Sequence, residues 1–428
     1  MVLDKHNMLS VHQFGFRIQR STEQAISFLV DNIHRALDSS RYFLGLFLDL
    51  SKAFDTVNHE ILLKKLEHYG VRGPVLKWIE HYLKDRYQYV EYNNFKSGKS
   101  VITCGVPQGS ILGPLLFILY VNDLPSVSSI LSTVMFADDT SMFLAHDDLK
   151  HLEYIVNIEL AKVVEWLNVN KLSINVGKTH AMLFTNRNIN SLPPIHISIQ
   201  HTDVQFVSKI SFIGILIDNK LSWRDHILKI SNKIAKGIGI IRKVRHKLQR
   251  STLINLYYCF VFPYLHYCIV IWGNASNLYV NPLLYLQKRI LRIIYDVHFK
   301  SSAKPLFIKS KILNVFDLYV YCVLIFMFKH WRSLLPECLN DVLKIKVVNV
   351  SILALPTRSQ NFYEIKFCRT TKCQKSLSYV GPSLFNILMR AEVVAVSEIH
   401  TVNCFKSFLK RNILHVMQLC NGDRQAYR

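Results

Sequence analysis

Apolar residues in the first half of the chain follow two alternating rhythms. Arg41 to Leu50, "RYFLGLFLDL", is an aromatic-rich run of strand length that ends at a carboxylate, Asp49. "HEILLKKLEHYG" spaces its apolar positions for a helix, with Asn58 as N-cap and Gly70 as the C-terminal stop. "GVPQGSILGPLLFILYVNDL" predicts a Gly/Pro-rich loop, then Pro114 at a first helical position and an apolar helix to about Leu124. "TVMFADDTSMFLA" predicts two short strands about a tight turn, because Asp tolerates turn conformations and the flanks are β-branched and aromatic. From about Asp147 to Val169 the apolar positions between Leu149 and Leu167 repeat at i, i+3/i+4 and predict a helix. "KLSINVGKTHAMLF" and "ISFIGILIDNKLSW" are two further strand-and-turn units. Strands and helices interleave as far as Trp223, which predicts an α+β domain with helices against a mainly antiparallel sheet. Beyond Trp223 the pattern is helical.

Charge sharpens that boundary. The 428 residues carry 52 Lys+Arg against 30 Asp+Glu, a formal net charge of +22. Such an excess works against compactness and suits a polyanion, nucleic acid ahead of an acidic membrane surface. From His226 to Tyr295 there is no acid, and Lys229, Lys233, Lys236, Arg242, Lys243 and Arg245 open that tract. The first three share one helical face, where they would track phosphates without reading bases. A solvated basic face is the plainer reading.

Hydrophobic content of 50% with 12% aromatics excludes a disordered chain. Leu318 to Phe328 is an uninterrupted apolar run of eleven residues, far short of the roughly 20 a membrane-spanning helix needs, so a buried core helix is expected. The N-terminal residues lack the apolar stretch of a secretory signal. Nine scattered cysteines without C-x-x-C read as reduced core thiols of an intracellular protein, nuclear or cytoplasmic. Cys368 and Cys373 lack two further ligands at compact finger spacing, which argues against zinc there.

Asp138 and Asp139 are the candidate chemistry. Adjacent carboxylates repel unless a cation lies between them. In isolation, Asp-Asp in a turn is commonplace. If the strand ending at Asp49 lies beside the "FADDTS" hairpin, carboxylates from two strand ends converge. Two Mg²⁺ ions about 3.5–4 Å apart are held by such bridging carboxylates and stabilise the attacking and leaving oxygens of phosphoryl transfer.

"FLDLSKAFDTVNHEIL", "GVPQGSILGPLLFILYVND", "FADDT", "NVGKTHAML" and "FIGILID", taken in this order, resemble the successive palm motifs of reverse transcriptases. The likeness is to non-LTR (LINE-type) retrotransposons of the jockey-like group, over about residues 8 to 223, and it extends more weakly beyond. It implies a right-hand polymerase: a fingers remnant at 1–40, a palm with a fingers insertion at 41–223, a helical basic thumb at 224–300 and a C-terminal helical, basic region at 301–428. Asp49, Asp138 and Asp139 would be the metal-binding triad for Mg²⁺, or Mn²⁺ in its place, and Lys178 a proton donor to pyrophosphate. Phe54 would lie under the deoxyribose and exclude a 2′-hydroxyl, and Gln108 and Gly109 would border the incoming nucleotide and template. Arg17, in "HQFGFRIQRST", would contact template or local structure. Phe212, Ile213 and Gly214 would form the primer grip, and Asp55 is expected to be structural or a helix-start acid.

The resemblance further implies an RNA template, a DNA primer or target-DNA end and dNTPs as partners, with no membrane. The family's upstream fingers motif and endonuclease are not seen before His12, so an N-terminally truncated chain is expected, with an endonuclease acting in trans or supplied by a missing N-terminal part. Two alternatives remain open at this point: a catalytically dead remnant that only binds nucleic acid, and an RNA-dependent RNA polymerase, against which Phe54 argues. Residues 301–428 carry no assigned chemistry.

Overall fold

The computed structural model describes residues 8–188, 192–343 and 363–412, together with Val416. Parts of the expected fingers remnant at 1–40 and of the C-terminal region at 301–428 therefore lie outside the described residues. The chain divides into two compact units: residues up to Ala25 with Ser39–Ile213, and Ile26–Asp38 with the chain from Gly214 onward. This division falls ten residues before Trp223 and assigns most of the first helix, α1 (Thr22–Asp38), to the second unit.

The first unit is built on a five-stranded sheet. Its strands are β1 (Tyr42–Leu48), β2 (Ser132–Phe136), β3 (Asp139–His146), β4 (His180–Phe184) and β5 (Gln205–Phe206), in the spatial order β5-β4-β1-β3-β2. β1 is central and pairs antiparallel with both β3 and β4; only β5 runs parallel to its neighbour. All seven residues of β1 are buried, which explains a continuous apolar run where a half-exposed strand would alternate. Leu44, Leu46 and Leu48 join a core with α2 (His59–His68), α3 (Pro74–Leu83), α4 (Leu112–Tyr120) and α5 (Leu149–Val169). On the opposite side of β1, Phe43 stacks on Phe143 (5.1 Å between centroids) and meets Phe184 edge-on at 5.7 Å.

The helix signals act as read, with small shifts. Asn58 caps α2 by accepting from Ile61 N at 3.0 Å, and Gly70 follows it at φ +83°. Asp148 caps α5. α4 starts two residues before Pro114 and ends at Tyr120, four residues short of the expected Leu124, because a 3₁₀ turn (Leu124–Ser126) takes over. Between α3 and α4 lie two small two-stranded sheets whose side chains are exposed. β6 (Lys209–Phe212) and β7 (Ile215–Asp218) flank the turn at Ile213–Gly214.

The second unit is helical. The Asp218 carboxylate shapes its entry by accepting from Ser222 N (3.0 Å) and Trp223 N (2.9 Å), and Trp223 starts α6 (Arg224–Val244) from a left-handed φ of +62°. α7 (Arg250–Phe260), α8 (Asn277–Tyr295), α9 (Val315–Trp331), α10 (Leu377–Ser397) and α11 (Val402–Arg411) follow, with shorter helices between. α9 carries the long apolar run, packs on α10 and α11, and is buried almost throughout. Among the described residues no single helix is long and apolar enough to cross a membrane; α9 passes only jointly with Lys304–Ser310, across a 45° bend. The cysteines depart from the core-thiol reading: Cys104, Cys259 and Cys404 are exposed, whereas Cys268, Cys322, Cys338, Cys368 and Cys373 are buried.

Candidate active site

The site begins with a strained turn. β2 and β3 close at Phe136 opposite Asp139, leaving Ala137 and Asp138 as a two-residue loop. Ala137 sits at φ +60°, the geometry of the first central position of a type II′ turn, where glycine is preferred. A residue with a Cβ there costs on the order of 1–2 kcal/mol, and such outliers persist only where the surroundings hold them.

The surroundings come from residues 12–15. Gln13 bridges Met135 in parallel, His12 O accepts from Met135 N at 2.9 Å, and Phe14 N donates to Met135 O at 2.8 Å. The buried Gln13 Oε1 accepts from Ala137 N at 3.1 Å and from Gly15 N at 2.8 Å, tying the turn to the strip. A Cβ on Gly15 would stand 2.4 Å from Ala137 N, so the strip approaches closely only because that side chain is absent. The fingers remnant expected over residues 1–40 did not include this support. The only signal was a glycine between two phenylalanines beside a polar residue. Arg17 donates to Ser10 O at 2.5 Å and Leu9 O at 3.4 Å, which are local structural contacts.

The three carboxylates come from the ends of the neighbouring strands β1 and β3. Leu48 lies opposite Thr140 as the last pair of the ladder, and Asp49, the next residue, lies near enough to Asp139 to act on its carboxyl. Asp138 and Asp139 are exposed and Asp49 is half-buried. Partial loss of hydration, then the Asp138 and Asp49 carboxylates, push the Asp139 carboxyl above its ordinary range. The sign is that of like charges with no cation between them. An all-oxygen set of three carboxylates suits hard divalent ions such as Mg²⁺. Among the described residues the one set of three metal-type donors within 4.8 Å of each other lies elsewhere, so the triad is a wider cradle than a single-ion cage.

Neighbouring loops fix the frame around Asp49. Its N–H donates to the buried Thr179 Oγ1 (3.2 Å) and its carbonyl accepts from Asn175 N (2.8 Å). Lys178 is therefore carried, exposed, on a loop bonded to the Asp49 backbone. Phe54 stacks on Phe117 at 4.2 Å, and its carbonyl accepts from Val106 N at 2.8 Å. Gly105, at φ +89°, lies so close that a Cβ would stand 2.7 Å from Asp55 O. Asp55 has a specific structural partner: its Oδ1 accepts from Gln108 Nε2 at 2.8 Å. Gly109 is exposed, at φ +80°, with open space where a Cβ would be.

Phe212 packs edge-on against Phe47 at 5.4 Å, and Ile213 and Gly214 both take positive φ, +45° and +79°. In the second unit, Lys229, Lys233, Lys236, Arg242 and Lys243 are exposed on α6, opposite a buried face of Ile227, Ile230, Ile234, Ile238 and Ile241. Arg245 differs: it is half-buried and pairs with Asp296 at 3.6 Å, the acid that ends the acid-free tract. The first unit thus gathers the three acids, the Lys178 loop and the Phe54–Gln108 loop on a shared backbone frame, while Arg17 is engaged locally.

An antiparallel sheet that brings one strand-end acid opposite a two-acid hairpin tip, with helices behind it, is the palm architecture of nucleotide polymerases. A family model described as reverse transcriptase (RNA-dependent DNA polymerase) matches residues 1–217, and the chain belongs to that family. A probable RNA-directed DNA polymerase from transposon X-element of Drosophila melanogaster is 28% identical over 333 residues, covering 74% of this chain and 35% of the relative. The RNA-directed DNA polymerase from mobile element jockey of the same species is 29% identical over 294 residues, 66% of this chain and 31% of the relative. The chain thus spans about a third of the length of these relatives. An apo telomerase from Candida tropicalis superposes over 80% of this chain and 53% of its own, with a TM-score of 0.40 at 11% identity.

Proposed function

We propose that this chain provides the polymerase palm of a non-LTR retrotransposon, extending a DNA primer 3′ end with dNMPs on an RNA template. The observation that carries this reading is the strand register that ends with Leu48 opposite Thr140, leaving Asp49 near enough to act electrostatically on Asp139 beside the braced Ala137–Asp138 turn. Asp49, Asp138 and Asp139 would hold two Mg²⁺ ions, whose chemistry when bound is to lower the pKa of the primer hydroxyl and to neutralise the leaving pyrophosphate. The chain's own groups orient the reactants. Lys178, carried on the loop bonded to Asp49, would meet the triphosphate and hand its ammonium proton to the departing pyrophosphate oxygen. Phe54, fixed by its stack on Phe117, would present a flat edge that a ribose 2′-hydroxyl cannot clear. Gln108, held by Asp55, and the bare backbone at Gly109 would line the template and nucleotide side. The α6 lysines would neutralise phosphates of the bound nucleic acid.

The test is primer extension by the purified chain with an RNA-templated DNA primer, Mg²⁺ and dNTPs. Extension is expected, with loss of at least about 10³-fold in Asp138→Ala, as befits removal of a ligand from a two-metal site. No extension by the wild-type chain, with hybrid binding retained, would leave a nucleic-acid-binding chain without catalysis. Equal use of ribonucleotides and deoxynucleotides would overturn the role of Phe54.

A further inference from the structure

The second unit contains a donor set chemically unlike the palm. Cys368 and Cys373 bracket a short loop, and their sulfurs lie 3.1 Å apart. Asp38, at the C-terminal end of α1, completes a group in which one donor atom from each residue lies within 4.8 Å of the others. The absence of further ligands near Cys368 and Cys373 in sequence argued against a metal there, but the third ligand comes from 330 residues upstream (368 − 38).

The cradle is already built. Asp38 Oδ1 accepts from Thr370 N (2.7 Å) and Thr370 Oγ1 (2.8 Å), and Oδ2 accepts from Arg369 N (3.2 Å). Cys373 N donates to Thr370 Oγ1 at 3.3 Å, and Gln374 Nε2 donates to Cys368 O at 3.1 Å. These bonds orient the carboxylate and both cysteines, as the outer partners of a metal site do. With Zn–S near 2.3 Å, the sulfur–sulfur edge of a tetrahedron is about 3.8 Å. The observed separation is about 0.7 Å shorter than that edge and well beyond the ~2.05 Å of a disulfide. His34 stands one turn before Asp38 on the same face of α1; it is 93% buried and its Nδ1 has no hydrogen-bond partner. Arg369 acts electrostatically on Asp38 and Lys366 on Cys368, while burial, with the Asp38 and Asp31 carboxylates, pushes both thiols up, so the two cysteines rest as neutral thiols until an ion arrives.

We propose that Cys368, Cys373 and Asp38 form a zinc-binding site with water at the fourth corner, tying the end of α1 to the loop ahead of α10. Soft thiolates select Zn²⁺ and disfavour Mg²⁺, so the site is distinct from the all-oxygen palm triad. Each thiol gives up its proton as its Zn–S bond forms, so loading releases two protons per ion. The site stands independently of the polymerase reading.

The experiment uses the full chain, stripped with chelator under reducing conditions and titrated with Zn²⁺ alone, then with Co²⁺ alone, in excess Mg²⁺. One zinc per chain is expected, with a thiolate-to-cobalt charge-transfer band in the Co²⁺ form. Cys373→Ser is expected to weaken binding at least about 100-fold, more than outer-partner changes do. Asp38→Asn keeps an oxygen for the Thr370 bonds and so separates ligation from folding; it too should weaken zinc at least about 10-fold, with unchanged far-UV circular dichroism. Absence of the charge-transfer band in the wild-type chain overturns the proposal whatever the variants do. So does zinc binding that is unaltered in Cys368→Ser/Cys373→Ser, or a Cys368–Cys373 disulfide that persists in reductant.

Discussion

Gly15→Ala tests how the active-site turn is held. The added Cβ would meet Ala137 N at 2.4 Å and Phe136 C at 3.0 Å, both backbone atoms that cannot rotate away. Ordinary carbon contact begins near 3.4 Å, so relief requires about 1.0 Å of movement (3.4 − 2.4) between the 12–15 strip and the Asp138 turn. Either the Gln13 Oε1 bonds to Ala137 and Gly15 stretch, or the turn shifts. Overpacking of this kind costs about 1–3 kcal/mol of stability. A displacement of about 1 Å at reacting groups costs about 10²-fold in rate. Gly239→Ala is the control of opposite sign: Gly239 is exposed within α6 with open space around it, and alanine there favours the helix by about 0.5–1 kcal/mol. The assay pairs single-nucleotide extension with denaturant unfolding of both variants. Extension within twofold of wild type for Gly15→Ala, together with stability within about 0.5 kcal/mol, would refute the bracing role of the strip, since that range is ordinary for a surface change.

Asp139 carries a folded-state pKa above its unfolded value, so folding penalises its ionised form and stability falls as pH rises through that interval. Asp139→Asn should therefore raise the melting temperature at neutral pH, lose that advantage in acid and abolish extension; Mg²⁺ should stabilise the wild type more than the variant. An unchanged or lowered melting temperature at neutral pH would contradict the repulsion. Replacing Lys229, Lys233 and Lys236 with Gln should weaken binding of all nucleic acids alike and reduce the log–log salt slope by about 3, read by fluorescence anisotropy across salt. A sequence-dependent loss at constant slope would exclude phosphate tracking. Phe54→Ala should narrow the preference for dNTP over rNTP, measured as the ratio of kcat/KM values, while leaving the Asp55–Gln108 bond in place.

The carboxylate site was legible in the sequence because its parts are local. A strand that stops at Asp49 and a hairpin tipped by Asp138 and Asp139 need only one pairing register to come side by side. The capping at Asn58 and the glycine requirement at Gly105 are likewise local. What stayed hidden depends on contacts between distant segments. Gln13 supports a turn 124 residues away, and nothing in "HQFGF" states which backbone it will bond. Arg17 shows the converse, for a basic residue in a motif suggests a ligand until its guanidinium is found bonded to Leu9 and Ser10 carbonyls.

Cys368 and Cys373 illustrate the same limit for metals. Ligand spacing along the chain identifies sites whose ligands come from one loop, and by that test two cysteines five residues apart are incomplete. A helix end arriving from residue 38 supplies the missing donor, and its carboxylate is held there by the Arg369 and Thr370 bonds from that very loop. The hydrogen bonds that build the cradle and the ligands that would fill it therefore arise from one long-range docking. Absence of a sequence pattern at such a place says little about the site, because the specificity lies in the docking of α1 and not in the spacing of the cysteines.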